Sequence, residues 1–211
     1  MELSVAETFT SHQGTGSLAG QLQFFVRTQG CSIKCPIRHI CDEPNALGDT
    51  GGRTMLVSEV VSAAIDAVGI GGWLHITGGE PLDNLEGWKS LVSTAMAAGL
   101  RVQTQTSGLV GHGMPIGRMG RVTVSPKGTL ERLKVRHGAE LILVAGPWVT
   151  GSIASDFMHG TSFDYYYIAP VCLGENKWDT RSAVDLVEYL RANGQPQWRL
   201  THQLHKLFGV K

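Results

Sequence analysis

Six short stretches of the chain share one form: LQFFVRTQG, WLHITGG, RVQTQTSG, RVTVSPKG, ELILVAG and YYYIAP. Each is a run rich in β-branched or aromatic residues that ends in turn chemistry, and each is read as a β-strand. Between several of them the apolar residues switch to helical spacing. Val57, Val60, Val61, Ala64, Ile65 and Val68 form one such set, with Ser58 as its expected N-cap. Leu85, Trp88, Leu91, Val92 and Ala95 form a second, closed by Gly99. Ala183, Val184, Leu186, Val187 and Leu190 form a third, closed by Asn193 and Gly194. Strands alternating with helices predict an α/β fold, a parallel sheet wrapped by crossover helices. No repeat, low-complexity tract or linker breaks the pattern, so a single domain over residues 1–211 is expected. The glycine-rich, weakly patterned stretch from Val110 to Arg118 reads as loop.

In such folds the site lies at the carboxyl ends of the strands. Here those ends are Arg27 to Cys31, Thr77 to Pro81, Gln105 to Gly108, Ser125 to Lys127 and Ala169 to Cys172. The chemically active residues of the chain gather at these positions. Periodicity alone did not demand that.

Composition removes several function classes. Eighteen basic residues balance eighteen acidic ones, so no global charge recruits nucleic acid or an anionic membrane. The longest apolar runs are far too short to span a bilayer. The opening MELSVAETFTSHQ lacks the basic and apolar parts of a signal peptide. A cytoplasmic protein with reduced thiols is therefore expected, and clustered cysteines then read as ligation or chemistry.

The cysteines are clustered. GCSIKCPIRHICDEP places Cys31, Cys35 and Cys41 in one loop, and Cys172 lies far away. Pro36 keeps the segment from being a plain helix. Three thiolates can hold three irons of a [4Fe–4S] cluster and leave the fourth iron open to a ligand. With His39, they could equally close a tetrahedral structural zinc site. Spacing leaves both open. Cys172 reads as a small buried hydrophobe or a site wall. A second signal is LHITGGEPLDN, residues 74–84. Two glycines after a strand let the backbone approach a ligand, and Glu80 offers a carboxylate that could accept from an ammonium group. A bare GGEP is otherwise an ordinary turn.

The cysteine triplet after one strand and GGEP after the next resemble the radical S-adenosylmethionine superfamily. ETF, HQGTGSLAG, FFVRTQGC, ITGGEPL, VSPKG and the tail PQWRLTHQLHKLFGV extend the likeness over nearly the whole chain. Together they are similar to the 7-carboxy-7-deazaguanine synthases of queuosine and deazapurine biosynthesis. That resemblance implies an incomplete (β/α) barrel. It implies a [4Fe–4S] cluster on Cys31, Cys35 and Cys41, with S-adenosyl-L-methionine on the open iron. Gly79 and Glu80 would hold the methionyl group. Gln105, the segment Ser125, Pro126 and Lys127, and the strand end Ala169, Pro170, Val171 and Cys172 would contact the same cofactor. His12, Gln13, Gly14, Arg27 and Thr77 match substrate-contacting positions, with His205 and the carboxylate of Lys211 closing the pocket. A Mg2+ ion would bind at Glu43. The implied reaction contracts 6-carboxy-5,6,7,8-tetrahydropterin to 7-carboxy-7-deazaguanine with loss of ammonia, started by a 5′-deoxyadenosyl radical. A flavodoxin-like electron donor and a homodimer are further expectations. As chemistry, Arg27 suits a bidentate grip on a carboxylate, or a structural ion pair. His205 could instead be a core histidine.

Several positions depart from the family pattern. The cysteine gaps are three and five residues where three and two are usual. Glu43 stands where a threonine ordinarily ligates magnesium; it is a harder ligand, or a solvated loop charge. Gln105-Thr106-Ser107-Gly108 replaces ETNG, Thr15 replaces the glutamate of QGEG, Ala169 a glutamine, and Ile142 a lysine. Two alternatives follow: a related radical enzyme on another pterin or purine-like substrate, or a metal-stabilised, non-catalytic binding protein.

Overall fold

The computed structural model describes residues 1–111, 119–174 and 177–210. The strands are β1 (Glu2–His12), β2 (Leu22–Thr28), β3 (Arg53–Leu56), β4 (Trp73–Gly78), β5 (Arg101–Thr106), β6 (Arg121–Val124), β7 (His137–Ala145), β8 (Ser162–Pro170), β9 (Cys172–Gly174), β10 (Lys177–Trp178) and β11 (Trp198–Leu200). The helices are α1 (Val57–Val68), α2 (Leu85–Ala97), α3 (Gly151–Gly160), α4 (Thr180–Ala192) and the short α5 (Leu204–Leu207).

One mixed sheet of nine strands carries the molecule, in the order β11-β8-β7-β6-β5-β4-β2-β1-β3. From β2 to β11 every neighbouring pair is parallel. The other edge turns back, because β1 pairs antiparallel with both β2 and β3. The sheet is therefore parallel over most of its width, with an antiparallel margin that the strand and helix alternation did not predict. All six predicted strands form, as do the three predicted helices. α1 differs in its start. Ser58 lies inside the first turn, and the Glu59 side chain instead accepts from Leu56 N–H at 2.7 Å.

The period of two decides what each face of the sheet carries. Phe24, Val26, Leu74, Ile76, Val102, Val122, Val124, Leu141, Leu143 and Ile168 lie in the main core, with Trp88 and Leu91 of α2 and Leu190 of α4. The alternate positions include Gln23, Phe25, His75, Gln103, Thr123 and Glu140, all buried. One face thus packs against helices and the other is an enclosed polar floor. Among the described residues no helix is long and apolar enough to cross a membrane.

Candidate active site

Above that floor, at the carboxyl ends of the parallel strands, lies a cavity of about 530 Å³. Cys31, Cys35, Cys41 and Glu43 line it. So do Gly79, Glu80, Gln105, Ser125, Lys127, Ala169, Pro170, Val171 and Cys172, and His12, Gln13, Gly14, Arg27, Thr77 and His205. Among the predicted residues, Pro126 does not line it, and Lys211 lies outside the described residues. His39 is exposed and is not part of the wall, so the structure does not bring it to the three thiols.

The glycines after β4 work differently from the sequence expectation. A methyl group on Gly79 would collide with the carbonyl oxygens of Gly30 and Ala46, and one on Gly78 with the backbone of Thr28. Gly78 also has φ of +141°, which favours glycine. What approaches this turn closely is the cysteine loop. Gly79 N–H donates to Thr28 C=O at 3.1 Å and Glu80 N–H to Gly30 C=O at 2.9 Å. Glu80 follows, 2% exposed, and ties β4 to β5. One oxygen accepts from Leu82 N–H (3.1 Å) and the Thr106 hydroxyl (2.7 Å). The other accepts from Ser107 N–H (2.9 Å) and the Ser107 hydroxyl. A carboxylate has about four acceptor positions, so all are in use and a ligand ammonium would have to share one. Burial pushes the Glu80 carboxyl up, against these hydrogen bonds.

Charge around the cavity is distributed in pairs. Arg27 Nε donates to Glu7 at 2.9 Å, and its Nη2 to Glu43 at 2.8 Å, while the guanidinium stands over Phe9 at 5.5 Å. The fork of Arg27 is thus held by two carboxylates, and Glu43 faces Arg27. Burial pushes Glu43 up and Arg27 pulls it back down. Lys127 donates to Ser125 Oγ at 2.7 Å. Desolvation pushes its ammonium down, and the nearby Cys35 and Cys41 sulfurs act in the opposite sense. All four cysteines are free and partly buried, and burial pushes the Cys31 thiol up. Among the described residues no three His, Cys, Asp or Glu side chains stand close enough to hold one metal ion.

The tail forms one wall. Leu204 N–H donates to Gly14 C=O at 3.0 Å, and the absent side chain of Gly14 leaves the space that the His205 ring fills. Gln203 donates to Asp42 at 2.8 Å, and Lys206 pairs with the same carboxylate. Burial holds the His205 imidazole below its usual range. Residues absent from the sequence expectation also face the cavity: Glu7, Phe9, Phe25, His75 and Asp42. Phe25 and His75 had a faint signal, each standing two positions before an expected residue of its strand, Arg27 and Thr77; Glu7, Phe9 and Asp42 had none of that kind.

No protein-family model matches the chain. It is 30% identical to a 7-carboxy-7-deazaguanine synthase of Bradyrhizobium diazoefficiens over the whole of both chains. A 7-carboxy-7-deazaguanine synthase of Synechocystis is 31% identical, over 98% of this chain and 93% of that one. Among solved structures, QueE from Escherichia coli superposes with a TM-score of 0.73 at 21% identity, covering 96% of this chain and 94% of that one. The last likeness is one of fold.

Proposed function

We infer the chemistry of this chain from the 7-carboxy-7-deazaguanine synthase family, to which it belongs by identity along its whole length. It is a radical S-adenosylmethionine lyase, contracting 6-carboxy-5,6,7,8-tetrahydropterin to 7-carboxy-7-deazaguanine with loss of ammonia. One observation supports the assignment of residues: the expected set, Pro126 and Lys211 apart, lines one cavity. The architecture we propose is a single-domain, incomplete (β/α) barrel, for which the open run of parallel strands speaks.

The donor set fits an iron–sulfur cluster. Three thiols share the cavity with Lys127, while His39, the imidazole that a closed zinc site in this loop would take, stands outside its wall. A cluster is also wider than one ion, so its thiols need not crowd into a single coordination shell. In this reading Cys31, Cys35 and Cys41 hold a [4Fe–4S] cluster. With S-adenosylmethionine, it supplies the radical that removes a hydrogen atom from the substrate.

The chain's own residues bind, orient and exclude water. Gly79, Ser125, Lys127 and the Ala169–Cys172 strand end border the cofactor, and Glu80 fixes the β4 and β5 turns that shape its place. Arg27 is the grip for the substrate carboxylate. For that, one of its two carboxylate partners would have to yield; Glu43 is slightly the more exposed, at 37% of its side chain against 30% for Glu7. Glu43, so released, would offer a carboxylate oxygen to a Mg2+ ion, a hard cation that takes oxygen ligands. His12, Gln13, Gly14, Thr77 and His205 complete the substrate pocket in this reading, to which the family likeness adds Lys211, outside the described residues. A flavodoxin-like donor, a homodimeric form and a cytoplasmic setting belong to the same reading.

The test is anaerobic reconstitution with iron and sulfide, then incubation with dithionite, S-adenosylmethionine and 6-carboxytetrahydropterin. Mass spectrometry should find 5′-deoxyadenosine and 7-carboxy-7-deazaguanine together. Deoxyadenosine alone would point to another pterin or purine-like substrate. Bound zinc with neither product would overturn the enzyme reading.

A further inference from the structure

A chain of hydrogen bonds crosses the polar floor and ends at the cavity. Glu140, fully buried, is held by Arg121 at 3.0 Å and by Ser17 N–H at 2.9 Å. Its other oxygen accepts from the Thr123 hydroxyl at 3.1 Å. A carboxylate can only accept, so Thr123 must donate to it. The Thr123 oxygen then accepts from the Gln103 amide nitrogen at 3.1 Å, and the Gln103 carbonyl from the Gln23 amide nitrogen at 3.1 Å. This leaves the Gln23 carbonyl facing His75 Nδ1 at 2.8 Å. A carbonyl accepts, so Nδ1 carries the proton. The Gln13 amide, 3.5 Å from the same nitrogen, is too far to compete. Glu140 thus sets, four bonds away, which nitrogen of His75 is bare.

The bare one is Nε2. It is buried and has no hydrogen-bond partner among the described residues, on a residue that is 1% exposed and lines the cavity. The ring is stacked on Phe25 at 4.6 Å, and Phe25 on Phe9 at 4.9 Å, so it cannot turn freely. Burial, with Arg27 nearby, holds His75 down to about 3, so the imidazole is neutral and Nε2 accepts. The Gln105 side chain lies near enough to temper that shift but makes no hydrogen bond to Nε2. A buried acceptor left unmade is costly, and such an atom in a cavity wall is an address for a donor.

We propose that His75 is a specificity-determining residue, whose Nε2 accepts a hydrogen bond from a ring N–H or amino group of the bound heterocyclic substrate. This rests on the function proposed above and adds a contact to it. A substrate offering only acceptors at that point leaves two lone pairs opposed and is rejected. Gln23, Gln103, Thr123 and Glu140 act through His75 as positioning residues.

The experiment uses reconstituted holoenzyme and measures KM for 6-carboxytetrahydropterin and for S-adenosylmethionine separately, with melting temperature as the folding control. His75→Met removes the acceptor. His75→Gln restores one at similar reach. Gln23→Met, which does not touch the cavity, removes the partner that fixes the tautomer. The expected result is a pterin KM about tenfold higher in His75→Met, the size of one good hydrogen bond. It should be partly rescued in His75→Gln and raised several-fold in Gln23→Met, with the KM for S-adenosylmethionine unchanged throughout. An unchanged pterin KM in a folded His75→Met overturns the proposal, as does an equal rise in both KM values. Should His75→Met fail to fold, a pterin KM unchanged in Gln23→Met overturns it. Wild-type holoenzyme that makes deoxyadenosine but no deazaguanine overturns the function reading instead, and this inference falls with it.

Discussion

Cys35 and Cys172 both face the cavity, yet they stand in different surroundings. Cys35 shares its loop with two other thiols, while Cys172 Sγ turns to the Gly174 carbonyl at 3.2 Å. Cys35→Ala is expected to abolish iron loading and Cys172→Ala to retain it. Iron content and the visible absorption of the reconstituted proteins decide, and equal iron in both would remove the triplet from its role. A second expectation at this scale concerns acid. The folded value for His75 lies near 3, below its usual 6.5, so the unfolded chain binds the extra proton between those values. Its contribution to stability is whole above pH 6.5 and drains away as pH falls toward 3. Urea midpoints measured across that window should fall more steeply for wild type than for His75→Gln. His75 was also the residue least legible in advance. It sits inside WLHITGG, where a histidine in an apolar run reads as core. Only the partners on β2 and β5 show which nitrogen is bare, and those partners are remote in sequence.

The helices and strands were legible where the period ran long enough. α2 and α4 end where glycines at positive φ, Gly99 and Gly194, were expected to stop them. α3 was not read, because its ten residues bury only Ala154 and Phe157 and give a weak pattern. β1 was missed because its middle, from Ala6 to Phe9, is only partly buried and carries no clean alternation. β11 is three residues long and docks on β8 by parallel pairing, a contact that local sequence does not announce. The crossing of the cysteine loop over β4 carries the element-scale prediction. Gly79→Ala puts a methyl group against the Gly30 and Ala46 carbonyls. Neither backbone can give way without moving the loop, so the expected cost is about 1–3 kcal/mol with loss of iron loading. Thermal melting and iron analysis would show it; a loaded protein of normal stability would mean the loop tolerates the shift.

Across the whole molecule, parallel pairing is what collects the site. Strands scattered along the chain point their carboxyl ends the same way, so residues from Arg27 to Cys172 share one cavity, which His12 and Gln13 join from the end of the antiparallel β1. The positions were legible through strand ends and family likeness together. The partners of Arg27 were not, since its pairing with Glu7 depends on β1 lying antiparallel beside β2, and Glu43 is brought to it by the loop after β2. The tail is held by Asp42 through Lys206 and Gln203, contacts at the surface worth about 0.2–1 kcal/mol for the ion pair. Lys206→Met is expected to raise the pterin KM by about 1.4- to fivefold and to speed proteolysis of the tail, by the conversion of that energy to a population. Unchanged cleavage and KM would show that the Leu204 bond to Gly14 suffices.

Asp42 is the residue next to Cys41, so the latch that fastens the tail is mounted on the loop that bears the thiols. On the function proposed above, loading the cluster and fastening the tail would then draw on the same short loop. A loop drawn into its final shape by an iron–sulfur cluster would set Asp42 where the tail can fasten. The chain would in this way test its own readiness, keeping an immature molecule ajar and letting a finished one shut.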